Sequence, residues 1–254
     1  MDVSLVVPIY RAESFLLKNL ELIESVLSQS VEAWELILVV DSSPDRSEDI
    51  CRDFSKKPHS FTVKVFNNES NFGKGATVRK GMLEAQGRYR IFTDCDLAYP
   101  ISEVMKVLTA LKSGNDLAIA SRSHPDTRYI VSPDVCRNLY KRHLMSRLFS
   151  SLVRYTSLIP DCHDTQAGLK GFTAKAATSL FSQAKLDGFS FDVELLYLAT
   201  RMNFQIQEVP VVFYYDSASS MKFLKDGLQM FLDIIKIHLW NFQGRYQFHG
   251  ENKI

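Results

Sequence analysis

Carboxylates gather where short apolar runs end. Asp94 and Asp96 flank Cys95 just after Tyr89–Thr93, and Asp41 and Asp45 follow Leu36–Val40. Tyr10 and Glu13 follow Val3–Pro8. Side chains two apart on an extended segment point to the same side, so Asp94 and Asp96 can share one ion. Two carboxylates suit a hard divalent cation, Mg²⁺ or Mn²⁺, which takes its other ligands from phosphate and water. A plain turn with a helix cap would also place an aspartate after a strand.

Asn71-Phe72-Gly73-Lys74-Gly75-Ala76 follows a third apolar run. It has neither the phosphate-loop spacing nor a dinucleotide fingerprint. Its glycines permit a tight turn into a helix whose N-terminus favours anions, and Lys74 and Arg79 add positive charge. A simple glycine turn with surface basic residues is the plainer alternative.

A second chemistry lies farther along. Arg122, Arg128, Arg137, Lys141, Arg142, His143, Arg147 and Arg154 stand against only Asp126 and Asp134. A local basic stretch suits an anionic acceptor or an anionic membrane surface, or is simply a solvated face. A hydroxyl acceptor needs a general base, whereas a phosphate monoester is largely dianionic at neutral pH and needs orientation more than a base. Asp192 and Glu194 keep the hydroxyl acceptor open. They lie two apart, so on a helix only one of them points inward.

These residues need a frame that brings strand ends together. Val3–Pro8, Leu36–Val40, Phe61–Phe66, Tyr89–Thr93 and Leu117–Ala120 read as buried strands. Helical spacing occupies Glu13–Leu27, Gly75–Ala85 and Ile101–Leu111 between them. Continuous apolar strands alternating with helices predict an α/β fold, a mostly parallel central sheet with helices on both faces. Ligands of such sheets bind beyond the carboxyl ends of the strands, where the acidic rim falls.

Met221–Trp240 reads as an amphipathic helix with a broad apolar face of Leu224, Leu228, Phe231, Ile235 and Leu239, flanked by Met230, Ile234 and Ile237. Lys222, Asp226, Gln229, Asp233 and Lys236 form the opposite stripe. Such a helix either packs on the core or lies in a membrane interface. The division expected is a catalytic unit over residues 1–220, then a helix and tail over 221–254.

The 254 residues carry 30 Lys+Arg against 29 Asp+Glu, a balance that argues against a nucleic-acid partner. The longest run without Asp, Glu, Lys or Arg is nine residues, 176–184, far short of a spanning helix. The first residues have neither a basic nor an apolar signal region. Four cysteines, at 51, 95, 136 and 162, form no CxxC pair, which fits reduced thiols in a cytosolic protein.

Together the segments VVPIYRAE (6–13), ELILVVDSSPD (35–45), NFGKGATVRKGMLEAQGRY (71–89), TDCDLAYP (93–100), ASR (120–122), DTQAGLKGF (164–172), FDVELL (191–196) and EVPV (208–211) resemble the family 2 glycosyltransferases. More narrowly, they resemble the branch that glycosylates polyprenyl or dolichyl phosphate. The resemblance implies the nucleotide-diphospho-sugar transferase (GT-A) fold and an inverting, metal-dependent hexosyltransferase. It implies that Pro8, Tyr10, Glu13, Asp41 and Lys74 line the nucleotide-sugar pocket, with Asp41 on the base. Asp94 and Asp96 would hold the donor diphosphate through Mg²⁺ or Mn²⁺. Arg122 and Arg137 would meet donor or acceptor phosphates, and Asp164, Gln166, Asp192 and Glu194 would form the acceptor side. Val40 stands where a paired aspartate is usual, and Ala98 where mannosyl relatives carry Gln. NFGKG, DLAYP and DTQAG are closer to the glucosyl branch, which implies UDP-glucose, a lipid-linked phosphate acceptor and a peripheral place on the cytoplasmic face of a membrane. Two alternatives stand beside this one: a soluble transferase acting on a saccharide or protein hydroxyl, and a non-catalytic nucleotide-sugar-binding protein.

Overall fold

The computed structural model describes residues 1–131, 159, 162–215 and 223–248. Among the described residues nine strands run in chain order: β1 Val3–Ile9, β2 Trp34–Val40, β3 Thr62–Asn67, β4 Tyr89–Thr93, β5 Leu117–Ser121, β6 Arg128–Val131, β7 Leu169–Thr173, β8 Ile206–Pro210 and β9 Val212–Tyr215. The helices are α1 Leu16–Ser30, α2 Ser47–Ser55, α3 Lys74–Glu84, α4 Glu103–Lys112, α5 Ala174–Phe181, α6 Phe191–Arg201 and α7 Phe223–Phe242.

Seven strands form one sheet in the order β3-β2-β1-β4-β7-β5-β8, and β6 pairs with β9 in a separate parallel ribbon. The sheet is parallel except at β7, which runs antiparallel to both β4 and β5. The expected α/β fold is therefore present. Side chains alternate across the strands, so each strand feeds two cores. Leu5, Val7, Leu36, Leu38 and Val40 pack with α1, α2 and α4 on one face. Val6, Ile37, Val39 and Phe92 pack with α3, α5, α6 and α7 on the other. Because both faces are covered, β1 and β2 are buried along their whole length, and their sequences are apolar except for Ser4 and Glu35, which bond to each other.

Antiparallel β7 was not foreseen. Its sequence, LKGFT, carries a lysine and a glycine where a central strand is usually apolar. Gly171 is required there, because a Cβ would press into Val107 and Leu111 of α4. By reversing direction, β7 brings the loop before it, residues 164–168, to the same sheet edge as the end of β4; Asp94 N donates to Gly168 O at 3.0 Å.

Helix α7 corrects its expected faces. Met230, Ile234 and Ile237 are buried in the second core, and Asp233, expected in the polar stripe, is buried with them. Asp233 Oδ1 accepts from Gln229 Nε2 and Lys236 Nζ, both at 2.9 Å, which makes its burial tolerable. Phe231, Ile235 and Leu239, expected to form the apolar face, point outward with Leu232 and Phe242. Helix α7 shares its core with α3, α5 and α6, and the expected boundary at residue 220 lies outside the described residues.

Candidate active site

The donor side is built from two interlocked loops. After β1 the chain turns through Arg11, at φ 52°. Arg11 N donates to Ser43 Oγ at 2.7 Å, Ala12 N to Ser47 Oγ at 3.0 Å and Glu13 N to Asp45 Oδ2 at 3.1 Å. In return Arg46 N donates to Glu13 Oε2 at 2.8 Å. Burial opposes the Asp45 charge, yet hydrogen bonds from Ser43, Ser47 and two backbone amides hold its carboxyl at about 2. Glu13 and Asp45 therefore clasp the two loops together. Pro8 is buried in β1, while Tyr10 stands exposed on the rim beside them.

The structure gives Asp41 a different duty from the expected base contact. It is buried; Oδ1 accepts from Asn68 Nδ2 at 2.8 Å and Phe72 N at 3.0 Å, and Oδ2 from Gly73 N at 2.9 Å. Two further amides are also taken, since Gly75 N and Ala76 N both donate to Asp187 O. Four amides at the α3 N-terminus, expected to attract a ligand anion, thus serve the chain's own carboxylate and carbonyl. Gly73 fits the turn because its φ is +98°, and a Cβ there would strike Asp187 O.

Past the β4 end, Asp94 holds the ammonium of Lys74: Nζ lies 2.6 Å from Oδ1. Burial disfavours the Lys74 charge, but Asp94, Asp192 and Asp96 outweigh it and raise its pKa above the usual lysine value. Asp96 is exposed and accepts from Ala98 N at 3.0 Å, and the following Leu97 has φ 50°. Gly168 presses against Asp94, so that any Cβ there would collide with Oδ2. Two hard carboxylates on one lip, with a bare glycine backing one of them, fit a divalent ion completed by phosphate oxygens. Among the described residues no third His, Cys, Asp or Glu joins them.

The acceptor side lies across β7. Arg122 and Asp164 form a two-pronged pair, Nε to Oδ2 and Nη2 to Oδ1, both at 2.7 Å, and Arg122 N adds a third bond at 2.8 Å. Asp164 is buried while part of Arg122 remains open to solvent. Burial opposes the Asp164 charge, but Arg122 holds its carboxyl below the usual range. Gln166 sits beside them, its Nε2 3.8 Å from Met230 Sδ of α7. Arg137 lies outside the described residues.

Asp192 and Glu194 separate as helical geometry requires. Asp192 joins the site: it lies within electrostatic reach of Lys74 and Asp94, and Lys170 Nζ donates to its Oδ1 at 2.6 Å. Burial, partly offset by Lys170 and Lys74, raises its pKa. Glu194 departs from the expected acceptor role. Its carboxylate accepts from Lys185 N, from Leu186 N at 2.7 Å and from Tyr246 OH at 2.7 Å, on the far side of α6. Sequence reasoning missed Lys170, which is fully buried and also donates to Ala167 O at 2.6 Å. A lone cation inside an apolar strand was the available signal.

A mostly parallel sheet with an aspartate pair at its carboxyl edge, bracketed by a donor-loop clasp and an arginine platform, defines a GT-A glycosyltransferase fold. Glucosyl-3-phosphoglycerate synthase from Mycobacterium tuberculosis has the same fold. In its complex with Mn²⁺, uridine diphosphate and glucosyl-3-phosphoglycerate it superposes with a TM-score of 0.66 at 16% identity, over 93% of this chain and 79% of that one. Residues 4–170 match Glycosyl transferase family 2, and the chain belongs to that family. It is similar to the dolichyl-phosphate beta-glucosyltransferases of Saccharomyces cerevisiae, at 30% identity over 96% of this chain and 76% of the yeast protein, and of Drosophila melanogaster, at 31% over 93% and 74%. The Homo sapiens protein of that name is 29% identical over 100% of this chain and 80% of its own.

Proposed function

We propose that this glycosyltransferase moves glucose from UDP-glucose to a polyprenyl or dolichyl phosphate, with inversion at the anomeric carbon. The observation that carries this reading is the pairing of the Asp94–Asp96 lip with an arginine, Arg122, pinned by Asp164 and still partly open to solvent. A phosphate acceptor arrives as a dianion and needs that cation more than a base. Asp192, the carboxylate nearest to base duty, is already bonded to Lys170. The names of the relatives support a glucosyl donor and a dolichyl phosphate acceptor.

Each residue then has a task. Tyr10 offers a flat apolar surface for the nucleotide base at the mouth of the clasped loops, and Lys74 reaches the diphosphate. Asp94 and Asp96 would hold Mg²⁺ or Mn²⁺, which when bound supplies positive charge against the departing diphosphate. Arg122 orients the acceptor phosphate for a direct attack, and a single displacement inverts the sugar carbon. Gln166 and α7 continue the acceptor side toward the lipid.

Among the described residues no helix is long and apolar enough to cross a membrane. Phe231, Leu232, Ile235, Leu239 and Phe242 nevertheless leave an apolar stripe exposed on α7, the last of them 89% exposed. That stripe supports a peripheral seat in a bilayer interface, where a prenyl acceptor resides.

The test is transfer of radiolabelled glucose from UDP-glucose, with Mn²⁺, to dolichyl phosphate in detergent. A lipid-soluble glucosyl phosphate with a β-anomeric proton coupling is expected. Glucose transferred only to saccharide hydroxyls would overturn the acceptor assignment, and donor binding without any transfer would leave a nucleotide-sugar-binding protein.

A further inference from the structure

Within the carboxylate cluster at the β4 end, Lys74 occupies ground that a divalent ion also needs. Its ammonium is 2.6 Å from Asp94 Oδ1, and Asp192 and Asp96 act on the same charge. The cation behind it, Lys170, is already bonded to Ala167 O and Asp192 Oδ1. A lone pair that binds an ammonium is not available to a metal at the same moment, and an ammonium beside a dication is a like-charge contact. Lys74 and a metal therefore compete for Asp94 Oδ1, and their like charges oppose joint occupancy of the carboxylate.

The competition ends when another anion takes the ammonium. At the start of α3 four backbone amides are already engaged, Phe72 N and Gly73 N with Asp41 and Gly75 N and Ala76 N with Asp187 O. The Lys74 side chain carries a positive charge at this helix end on four rotatable bonds. A nucleoside diphosphate reaching the Asp94–Asp96 lip meets that group.

We propose that Lys74 is a resident counter-cation that makes metal binding conditional on the donor. Without nucleotide it neutralises Asp94 and disfavours the metal. With nucleotide it moves to the diphosphate and frees Asp94 Oδ1. The inference rests on the assignment of Asp94 and Asp96 as metal ligands, and it adds a direction to the coupling: removing a lysine should tighten metal binding.

The experiment titrates Mn²⁺ into the full chain and follows free Mn²⁺ by electron paramagnetic resonance, with and without UDP. Wild type, Lys74→Met and Lys74→Gln are compared, with thermal melts to confirm that each variant is folded. UDP should tighten Mn²⁺ binding to wild type by about ten-fold, a coupling of ordinary size. Folded Lys74→Met without UDP should bind Mn²⁺ about ten-fold more tightly than wild type without UDP, and UDP should then add less than about three-fold. The proposal is overturned if both variants, folded, bind Mn²⁺ alone no more tightly than wild type while wild type with UDP binds it well. Absence of Mn²⁺ binding by all three proteins, even with UDP, instead overturns the metal-site assignment itself.

Discussion

Asp96 stands exposed beyond the end of β4, and the bond its Oδ1 accepts from Ala98 N is one that an asparagine can keep. Asp96→Asn should abolish glucosyl transfer while the thermal midpoint stays within a few degrees of wild type, because exposed substitutions change stability by about 0.5 kcal/mol or less. Near wild-type turnover in the purified variant would remove Asp96 from the metal site. Asp41 is the opposite case. Three donors converge on its carboxylate, and its loss leaves Asn68, Phe72 and Gly73 without their acceptor. Asp41→Ala should therefore lower unfolding free energy by roughly 2–4 kcal/mol, read from urea denaturation, and should raise the donor KM through the loosened 71–73 loop. A fully stable variant with an altered preference among nucleotides would return Asp41 to the base pocket.

At the scale of elements, the clasp between the β1–α1 and β2–α2 loops carries a pH signature. The folded Asp45 carboxyl, at about 2, lies below its ordinary value of 3.8. A depressed folded value contributes stability above the unfolded pKa, and that contribution is lost as pH falls from 3.8 through about 2. Asp45→Asn should melt below wild type at pH 7, with the gap closing as the pH approaches 2 in paired thermal scans; a gap of constant size would mean that the carboxylate charge is not what the clasp uses. Helix α7 divides its two apolar faces between two jobs. Phe231→Ser with Leu239→Ser should release the protein from anionic liposomes in a sedimentation assay and leave the melt nearly unchanged, since both side chains are exposed. Ile237→Ser, on the buried face, should instead cost about 2–5 kcal/mol of stability. If the exposed pair unfolds the protein, or if wild type never sediments with liposomes, the peripheral seat is wrong.

Across the whole molecule, the chain end returns to the body through Glu194. Tyr246 OH reaches Glu194 Oε1 at 2.7 Å, and the same carboxylate ties Lys185 N and Leu186 N, which precede α6. Burial raises the Glu194 pKa, so its hydrogen bonds are what make the site tolerable. Tyr246→Phe should lower stability by about 1–2 kcal/mol in urea while kcat and donor KM stay unchanged, because this clamp lies behind α6 and not in the cleft. A fall in kcat without a change in stability would place Glu194 in the chemistry after all.

The alternating buried strands and the acidic rim were legible in the sequence because they are local facts. A strand covered on both faces must be apolar at nearly every position, as β1 and β2 are apart from the mutually bonded Ser4 and Glu35, and its ligand groups must follow its carboxyl end. The sequence also required that Asp192 and Glu194 face apart, since 3.6 residues make a helical turn. It could not say which one faced the cleft, because that depends on how α6 rotates against β4 and β7. Nor could it show that Asp41 and Asp187 fill the helix start that was expected to bind a ligand, or that Lys74 rests on Asp94. Those pairings join residues 20 to more than 100 positions apart. Residue type and spacing set what each group is able to do. Its partner is set by the long-range register of strands, above all by antiparallel β7, which folds the 164–168 loop against the end of β4.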